Sequence, residues 1–318
     1  MPAVALLTTL QETGPVLPRF TLGAVFGEWS LAPVPFVITI WAAGLYLVGV
    51  RALRRRGDRW PWGRTLSFVV VGMGLFYFAT SSGVAAYDTT LLSVHMVQHM
   101  VLSMLVPMAL ALGAPVTLAL RTLPPRPRRW LLVALHSRLA QVVSFPPLTF
   151  LLYVISPWAL YFSGWYPATL DSAYLHEMMH VHLVLVGCLF FWPIIGVDPV
   201  PGRVGYPFRM LLVVLTLPFH AFLGVTIMGQ STLLGGSHYP ELHDGPMGVW
   251  LPDPYDDQHL AGGLLWGSGD LVALVLFGVL FTQWVRSSLK EAAREDRRLD
   301  LLEARERAAA RQDAEADG

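Results

Sequence analysis

The sequence predicts an all-α polytopic membrane protein: a bundle of seven transmembrane helices with its N-terminus outside and its C-terminus in the cytoplasm. Composition is the first observation, because 54% of the 318 residues are apolar and only 14% are charged. A soluble domain carries about 25% charged residues, so this chain lacks the polar surface that water requires. Seven long apolar runs and a one-sided distribution of arginine are the second and third observations.

Each of the seven runs is long enough to cross a bilayer, which takes about 20 mostly apolar residues. The predicted spans are 34–53, 65–86, 90–113, 145–164, 173–195, 208–229 and 259–285. They divide the chain into an extracytoplasmic segment 1–33, a transmembrane domain 34–285 and a charged, helical cytoplasmic tail 286–318. The first segment is expected to remain uncleaved, because no basic stretch precedes its apolar residues.

Basic residues orient the spans. Of the 22 lysines and arginines, all except Arg19 follow the first, third, fifth and seventh spans. Positive residues stay on the cytoplasmic side, which places the N-terminus and the short acidic loops outside. The single cysteine, Cys188, excludes an intrachain disulfide and a cysteine-based haem attachment. Neither the composition nor the neutral net charge favours a nucleic-acid partner.

Histidines collect on the outer side of the predicted bundle. Of the ten, only His136 falls in a cytoplasmic loop. Two pairs are spaced four residues apart, on the third and the fifth span, so each pair projects from one helix face and can chelate a single metal. Polar side chains inside a membrane are costly and usually functional, which favours ligands over isolated structural histidines. The predicted metal ligands are His95, His99, His176, His180, His220 and His259.

Other polar and sulfur-bearing side chains lie beside these histidines. Candidates for metal binding or cation entry are Asp88, Met96, Met100 and Asp257. Thioethers favour Cu(I) over Zn, although both methionines also suit a flexible packing face. Glu177 and Asp270 are candidates for proton transfer or charge balance.

Helical spacing further sorts the set into two tiers. The shallow tier is Asp88, His95, His176 and His259, and the deeper tier is His99, His180, His220 and Asp270. Small residues at Gly224, Gly262 and Gly263 are expected to bring the sixth and seventh spans close together.

The ordered motifs of the chain resemble those of the CtaG family of bacterial cytochrome c oxidase assembly factors. They are, in chain order, residues 87–88 (Tyr-Asp), 95–100 (His-Met-Val-Gln-His-Met), 113–115 (Gly-Ala-Pro), 176–180 (His-Glu-Met-Met-His), 191–199 (Phe-Trp-Pro-Ile-Ile-Gly-Val-Asp-Pro), 218–224 (Pro-Phe-His-Ala-Phe-Leu-Gly) and 257–263 (Asp-Gln-His-Leu-Ala-Gly-Gly). The resemblance covers about residues 34–285.

This resemblance implies a non-enzymatic, multi-pass protein of the bacterial cell membrane that matures a haem-copper oxidase. It implies delivery of copper to the oxidase, with the lipid bilayer and an oxidase subunit as partners. The thioethers beside the histidines favour Cu(I) as the bound form of copper. The residues alone leave two other functions open. One is a haem-b-binding membrane cytochrome, with His99 or His180 paired with His220, and the other is an intramembrane zinc hydrolase. Whether the chain forms a homo-oligomer is also open.

Overall fold

The computed structural model describes residues 16–30 and 32–316, with side chains described through residue 305. Within these residues every regular element is helical. The expectations for residues 1–15, including the uncleaved start of the chain, and for the side chains at the end of the tail lie outside the described residues.

Twelve helices follow one another along the described chain. They are α1 (Leu22–Gly27), α2 (Pro33–Arg55), α3 (Trp62–Tyr87), α4 (Leu92–Thr122), α5 (Pro125–Leu135), α6 (Arg138–Val143), α7 (Pro146–Tyr161), α8 (Trp165–Asp171), α9 (Ala173–Ile195), α10 (Tyr206–Met228), α11 (His238–His243) and α12 (Pro254–Ala316).

Six of these helices, α2, α3, α4, α9, α10 and α12, are long and apolar enough to cross a membrane. The consecutive helices α7 and α8 meet the same test only as a pair, and they are bent by 61° where the chain passes through Phe162, Ser163 and Gly164. The described residues therefore contain six or seven candidate spans, which confirms the predicted class of a helical, polytopic membrane protein. The predicted fourth span, 145–164, is the one that the structure bends.

The helix α4 lies at the centre of the bundle. In its apolar stretch 61% of the residues are buried, compared with 17% in the peripheral α2. It packs against α3, α9 and the outer part of α12, while α10 runs along α12. Three neighbouring helices therefore surround α4, which carries His95 and His99.

Glycines permit two backbone-to-backbone approaches near this centre. A Cβ atom on Gly187 of α9 would lie 2.2 Å from the Ser103 carbonyl oxygen of α4. Between α10 and α12, a Cβ on either Gly224 or Gly262 would lie 2.6 Å from the carbonyl oxygen of the other. Gly263 faces open space. The predicted close approach of the sixth and seventh spans is thus confirmed at Gly224 and Gly262 and wrong at Gly263.

At the opposite end of the bundle, Asp198 caps a corner of α4. Its carboxylate accepts hydrogen bonds from the backbone N–H groups of Val116 at 3.1 Å and Thr117 at 2.7 Å, and from Trp192 Nε1 at 3.0 Å. The corner itself is made by Ala114, whose φ of 52° is left-handed. A carboxylate at a helix start satisfies N–H groups that have no partner within the helix. This contact ties the end of α9 to α4.

Candidate metal centre

A buried carboxylate, Asp88, lies in the turn between α3 and α4. Its Oδ2 accepts a hydrogen bond from Gln98 Nε2 at 2.7 Å and one from His176 Nε2 at 2.9 Å, and His180 Nε2 lies 3.6 Å away. The residue is only 2% exposed. An unpaired charge at such a position would be strongly unfavourable, so these contacts hold α9 against α4.

The pKa of the Asp88 carboxyl lies below its ordinary value. Burial acts in the other direction, since it disfavours the charged form, but the hydrogen bond from His176 and the favourable electrostatic interaction with the nearby His180 outweigh it. Asp88 is therefore a carboxylate at neutral pH. It can accept hydrogen bonds from the imidazoles or bind a cation.

Three imidazoles surround this carboxylate. The ring centroids of His176 and His180 are 4.7 Å apart, because the two residues are one helical turn apart on α9. The ring of His95 on α4 lies 6.2 Å from that of His176. The amide of Gln98 orients His180, whose Nε2 donates to Gln98 Oε1 at 3.0 Å.

The other ring nitrogens of these histidines have no hydrogen-bond partner. In the part of the chain that the structure describes, the Nδ1 atoms of His95, His176 and His180 are all buried and unpaired. The Glu177 carboxylate makes an ion-pair contact with Nδ1 of His180 at 3.9 Å, which is too long for a hydrogen bond. Unpaired buried polar atoms are uncommon in native proteins. Three of them in one cluster indicate a place for a ligand.

Tyr161, at the end of α7, joins two histidines of α4. Its hydroxyl lies 3.1 Å from Nε2 of His95 and 2.7 Å from Nδ1 of His99. A hydroxyl has one proton, so it donates to one of the two rings and accepts from the other. The bridge therefore fixes both ring orientations. It also links His99 to the group of Asp88, His95, His176 and His180, which we call the Asp88 cluster.

A small cavity lies on the His99 side of Tyr161. Its volume is about 20 Å³, and His99, Met100 and His220 line it together with Tyr153, two serines (Ser103 and Ser156) and apolar side chains. His99, Met100 and His220 are at least nine-tenths buried. A Cβ on Gly269 of α12 would lie 3.1 Å from His220 Nδ1 and 3.2 Å from Met100 Cε, so the absence of a side chain there leaves room between them.

A larger cavity of about 610 Å³ lies beside the Asp88 turn. Thr89 and Thr90, next to Asp88 in sequence, line it, as do the carboxylates of Glu28 and Glu241. The two carboxylates give this acidic vestibule a negative charge, which would favour an approaching cation.

The two residues at the start of α12 lie in different surroundings. Asp257 accepts hydrogen bonds from the Ser93 hydroxyl and from the Ser93 backbone N–H, the latter at 3.2 Å, and so holds α12 to the start of α4. His259 is exposed, and its Nδ1 lies 3.4 Å from the Met228 carbonyl oxygen. The structure therefore does not place His259 with the buried histidines.

The remaining predicted residues are distributed as follows. Asp270 accepts a hydrogen bond from Trp266 Nε1 at 2.8 Å on its own helix. Met96 is fully buried in the apolar core. The predicted tiers also differ from the observed grouping, because His180 belongs with Asp88 rather than with His220. The cause is Gln98, which bonds both His180 and Asp88.

Sequence reasoning missed Gln98 and Tyr161. Gln98 lies inside a span next to His99, and a buried amide in a membrane helix was itself a signal of function or of a polar contact. Tyr161 gave no such signal, since tyrosine is common near the ends of spans.

Comparison with known proteins adds the following findings. The model of a protein family described as cytochrome c oxidase caa3 assembly factor matches residues 44–287. Curated relatives include uncharacterized proteins of Mycobacterium bovis and Mycobacterium tuberculosis, each 40% identical over 303 residues. Another, from Mycobacterium leprae, is 35% identical over 304 residues. No solved structure matches the chain.

The relatives are much longer than this chain. Each alignment covers 88% or 89% of the chain but only 45% of the relative, so the chain spans less than half the length of the curated proteins that it matches.

Proposed function

This chain belongs to the family of cytochrome c oxidase caa3 assembly factors, and we propose that it binds copper as cargo in the outer half of a bacterial membrane and delivers it to a subunit of a haem-copper oxidase. The role is non-enzymatic, because the chain transfers an ion without changing a covalent bond. The observation that carries the proposal is the buried cluster of Asp88, His176 and His180 with the unpaired nitrogens around it.

The donor set of the cluster fits copper. One ligand atom from each of Asp88, His176 and His180 lies within 4.8 Å of the others. Bonds of about 2.0–2.1 Å from nitrogen to a tetrahedral ion place ligand atoms a little over 3 Å apart, so a small closure of the rings completes the site. Imidazole suits copper, zinc and iron alike, and metal analysis is the measurement that separates them.

Asp88 and Gln98 have a second use in this arrangement. Histidine ligands of metals usually donate their other ring N–H to a carboxylate or a carbonyl, which fixes the ring and raises its basicity. His176 and His180 make these contacts through Nε2, with Asp88 and Gln98 respectively. These are the contacts of the ion-free cluster: an ion held by Asp88 and the two Nε2 atoms would replace them, and the ring protons would then lie on the buried Nδ1 atoms.

We assign this cluster and the vestibule to the extracytoplasmic side of the membrane. We count the bent pair α7 and α8 as one span, which gives seven, and assign the N-terminal segment 1–33 to the outside, 34–285 to the membrane and the tail 286–318 to the cytoplasm. The arginine distribution supports this orientation. Copper then enters past Glu28 and Glu241 toward Asp88 from the extracytoplasmic side.

Single-cysteine labelling tests the orientation. With Cys188 replaced by serine, a cysteine is introduced at the exposed Ser237 or at the exposed Ser288. A membrane-impermeant maleimide should label Ser237→Cys in intact cells and Ser288→Cys only after the cells are opened. The reverse pattern would exclude delivery on the outer side.

The functional test uses a host that lacks its own copy of the chain. The variant His176→Ala/His180→Ala should leave the purified oxidase short of copper, and extra copper in the medium should restore it in part. His136→Ala is the matched control, since His136 is exposed and bonds only within its own helix. An oxidase with full copper content in the double variant would refute the proposal.

The same purified protein decides between copper and the other two functions. A zinc hydrolase would retain zinc rather than copper after purification. A b-type haem between His99 and His220 does not fit the structure, because the cavity that they line holds about 20 Å³. Such a volume admits about one water molecule, far less than a porphyrin.

A further inference from the structure

We propose that the small cavity lined by His99, Met100 and His220 is a second metal site, specific for monovalent copper, below the Asp88 cluster. This inference rests on the proposed function, because it gives the cargo a second position in the same protein. We call the cavity with these three side chains the deep chamber.

The size of the deep chamber suits an ion rather than an organic ligand. Its volume of about 20 Å³ exceeds the roughly 10–15 Å³ that one water-sized species needs. It lies where α4, α7, α9, α10 and α12 meet, so five helices hold its walls. An ion there would be shielded from water and from lipid.

The donor atoms of the deep chamber are unusual for a packed core. His220 is 8% exposed, and its Nδ1 is buried without a hydrogen-bond partner among the described residues. His99 is held through Nδ1 by Tyr161, which leaves Nε2 as the nitrogen available to an ion. The Met100 methyl group and His220 Nδ1 both border the space left by Gly269. Two imidazoles and one thioether therefore surround the same volume.

The neutral charge of this donor set favours one oxidation state of copper. The lining contains no carboxylate, so no negatively charged ligand offsets the charge of an ion in the deep chamber. Taking a charge out of water is costly, and the cost rises with the square of the charge, which favours a monovalent ion. Thioethers bind Cu(I) in preference to Zn. The neutral soft ligands of the deep chamber therefore favour Cu(I). The Asp88 cluster differs, because Asp88 gives it a negative charge.

Tyr161 connects the two positions. Its hydroxyl lies 3.1 Å from Nε2 of His95 in the Asp88 cluster and 2.7 Å from Nδ1 of His99 in the deep chamber. Rotation of either histidine would exchange the tyrosine contact for a metal contact. Copper can thus pass from one position to the other without meeting bulk water.

Anaerobic titration of the full-length purified chain with Cu(I), in competition with a chromogenic chelator, tests the second site. The wild-type protein should bind two equivalents. Met100→Leu should weaken the binding of one equivalent by at least about tenfold. Removing a side chain that only supports a metal ligand can already cost this much affinity. The matched control is Met104→Leu, since Met104 is equally buried one turn along α4 but does not line the deep chamber. It should retain both equivalents.

X-ray absorption of the copper-loaded protein gives an independent readout. It should show a sulfur neighbour in the wild type and in Met104→Leu, and none in Met100→Leu. The double variant His176→Ala/His180→Ala should lose one equivalent and keep the sulfur-bound copper. One equivalent without sulfur, unaffected by Met100→Leu, would overturn the deep chamber and leave the proposed function standing. Absence of all copper binding by the wild type would overturn both.

Discussion

Addition of a single methyl group at either of two neighbouring glycines of α12 should change stability in opposite directions. Gly262 packs against Gly224 of α10, whereas Gly263 faces open space. Alanine is a better helix former than glycine by about 0.8–1.0 kcal/mol, and this gain applies to both positions. Only Gly262→Ala introduces a steric conflict.

The size of that conflict follows from the contact distances. The new Cβ would lie 2.6 Å from the Gly224 carbonyl oxygen and 2.7 Å from Met228 Cγ, where ordinary contact begins at 3.4 Å. The carbonyl belongs to a helix backbone and cannot rotate away, so α10 and α12 must separate by several tenths of an ångström. Overpacking of this kind costs about 1–3 kcal/mol. Gly262→Ala should therefore be less stable than Gly263→Ala by that amount.

Cys188 provides the assay. It is the only cysteine in the chain and is partly buried on α9, so a thiol-reactive fluorogenic dye reports its exposure as the protein unfolds in detergent. Gly263→Ala should unfold at or slightly above the wild-type temperature, and Gly262→Ala several degrees below it. A denaturant titration then converts the difference to a free energy of unfolding. Equal stability of the two variants would refute the proposed packing of α10 on α12.

Three further outcomes follow from the contacts described. Gln98→Leu removes a hydrogen-bond partner of both Asp88 and His180, so copper affinity measured in a competition titration should fall by about 10–100-fold. The control Gln141→Leu changes an exposed glutamine and should leave copper affinity unchanged. Asp198→Ala removes the cap of the corner in α4 and should lower the free energy of unfolding by about 1–2 kcal/mol; wild-type stability would contradict the role of the cap. Truncation after Lys290 should leave copper stoichiometry unchanged in metal analysis of the purified protein, because residues 291–318 contain no histidine, cysteine or methionine.

The class of fold could be predicted from sequence because hydrophobicity is a local property. The predicted span 173–195 coincides with α9, Ala173–Ile195. The bend after Tyr161 was not predicted, since residues 145–164 are apolar enough throughout to read as one helix. Apolar composition averages over a window, whereas a bend depends on a few residues, here Ser163 and Gly164.

The candidate site was predictable only as far as helix periodicity extends. Spacing correctly placed His176 and His180 on one face of α9, and the structure brings that face to Asp88. It could not show how α9 is rotated against α4, which decides that His180 meets Gln98. His259 shows the opposite case: its regular spacing suggested a functional stripe, but the residue is exposed near the start of α12, where a polar side chain costs little.

The unpaired nitrogens distinguish a binding cluster from a purely structural one. Each buried polar atom left without a partner costs about 1–3 kcal/mol, and His95, His176 and His180 each carry one. A cluster that only joined α4 to α9 would need no more than the Asp88 and Gln98 contacts, and apolar side chains could fill the remaining space without that penalty. One ion can bind several imidazole nitrogens at once, and a ligand that binds only the folded state stabilises it. Copper should therefore stabilise this protein most strongly around these three rings, where the hydrogen bonds of the protein are incomplete.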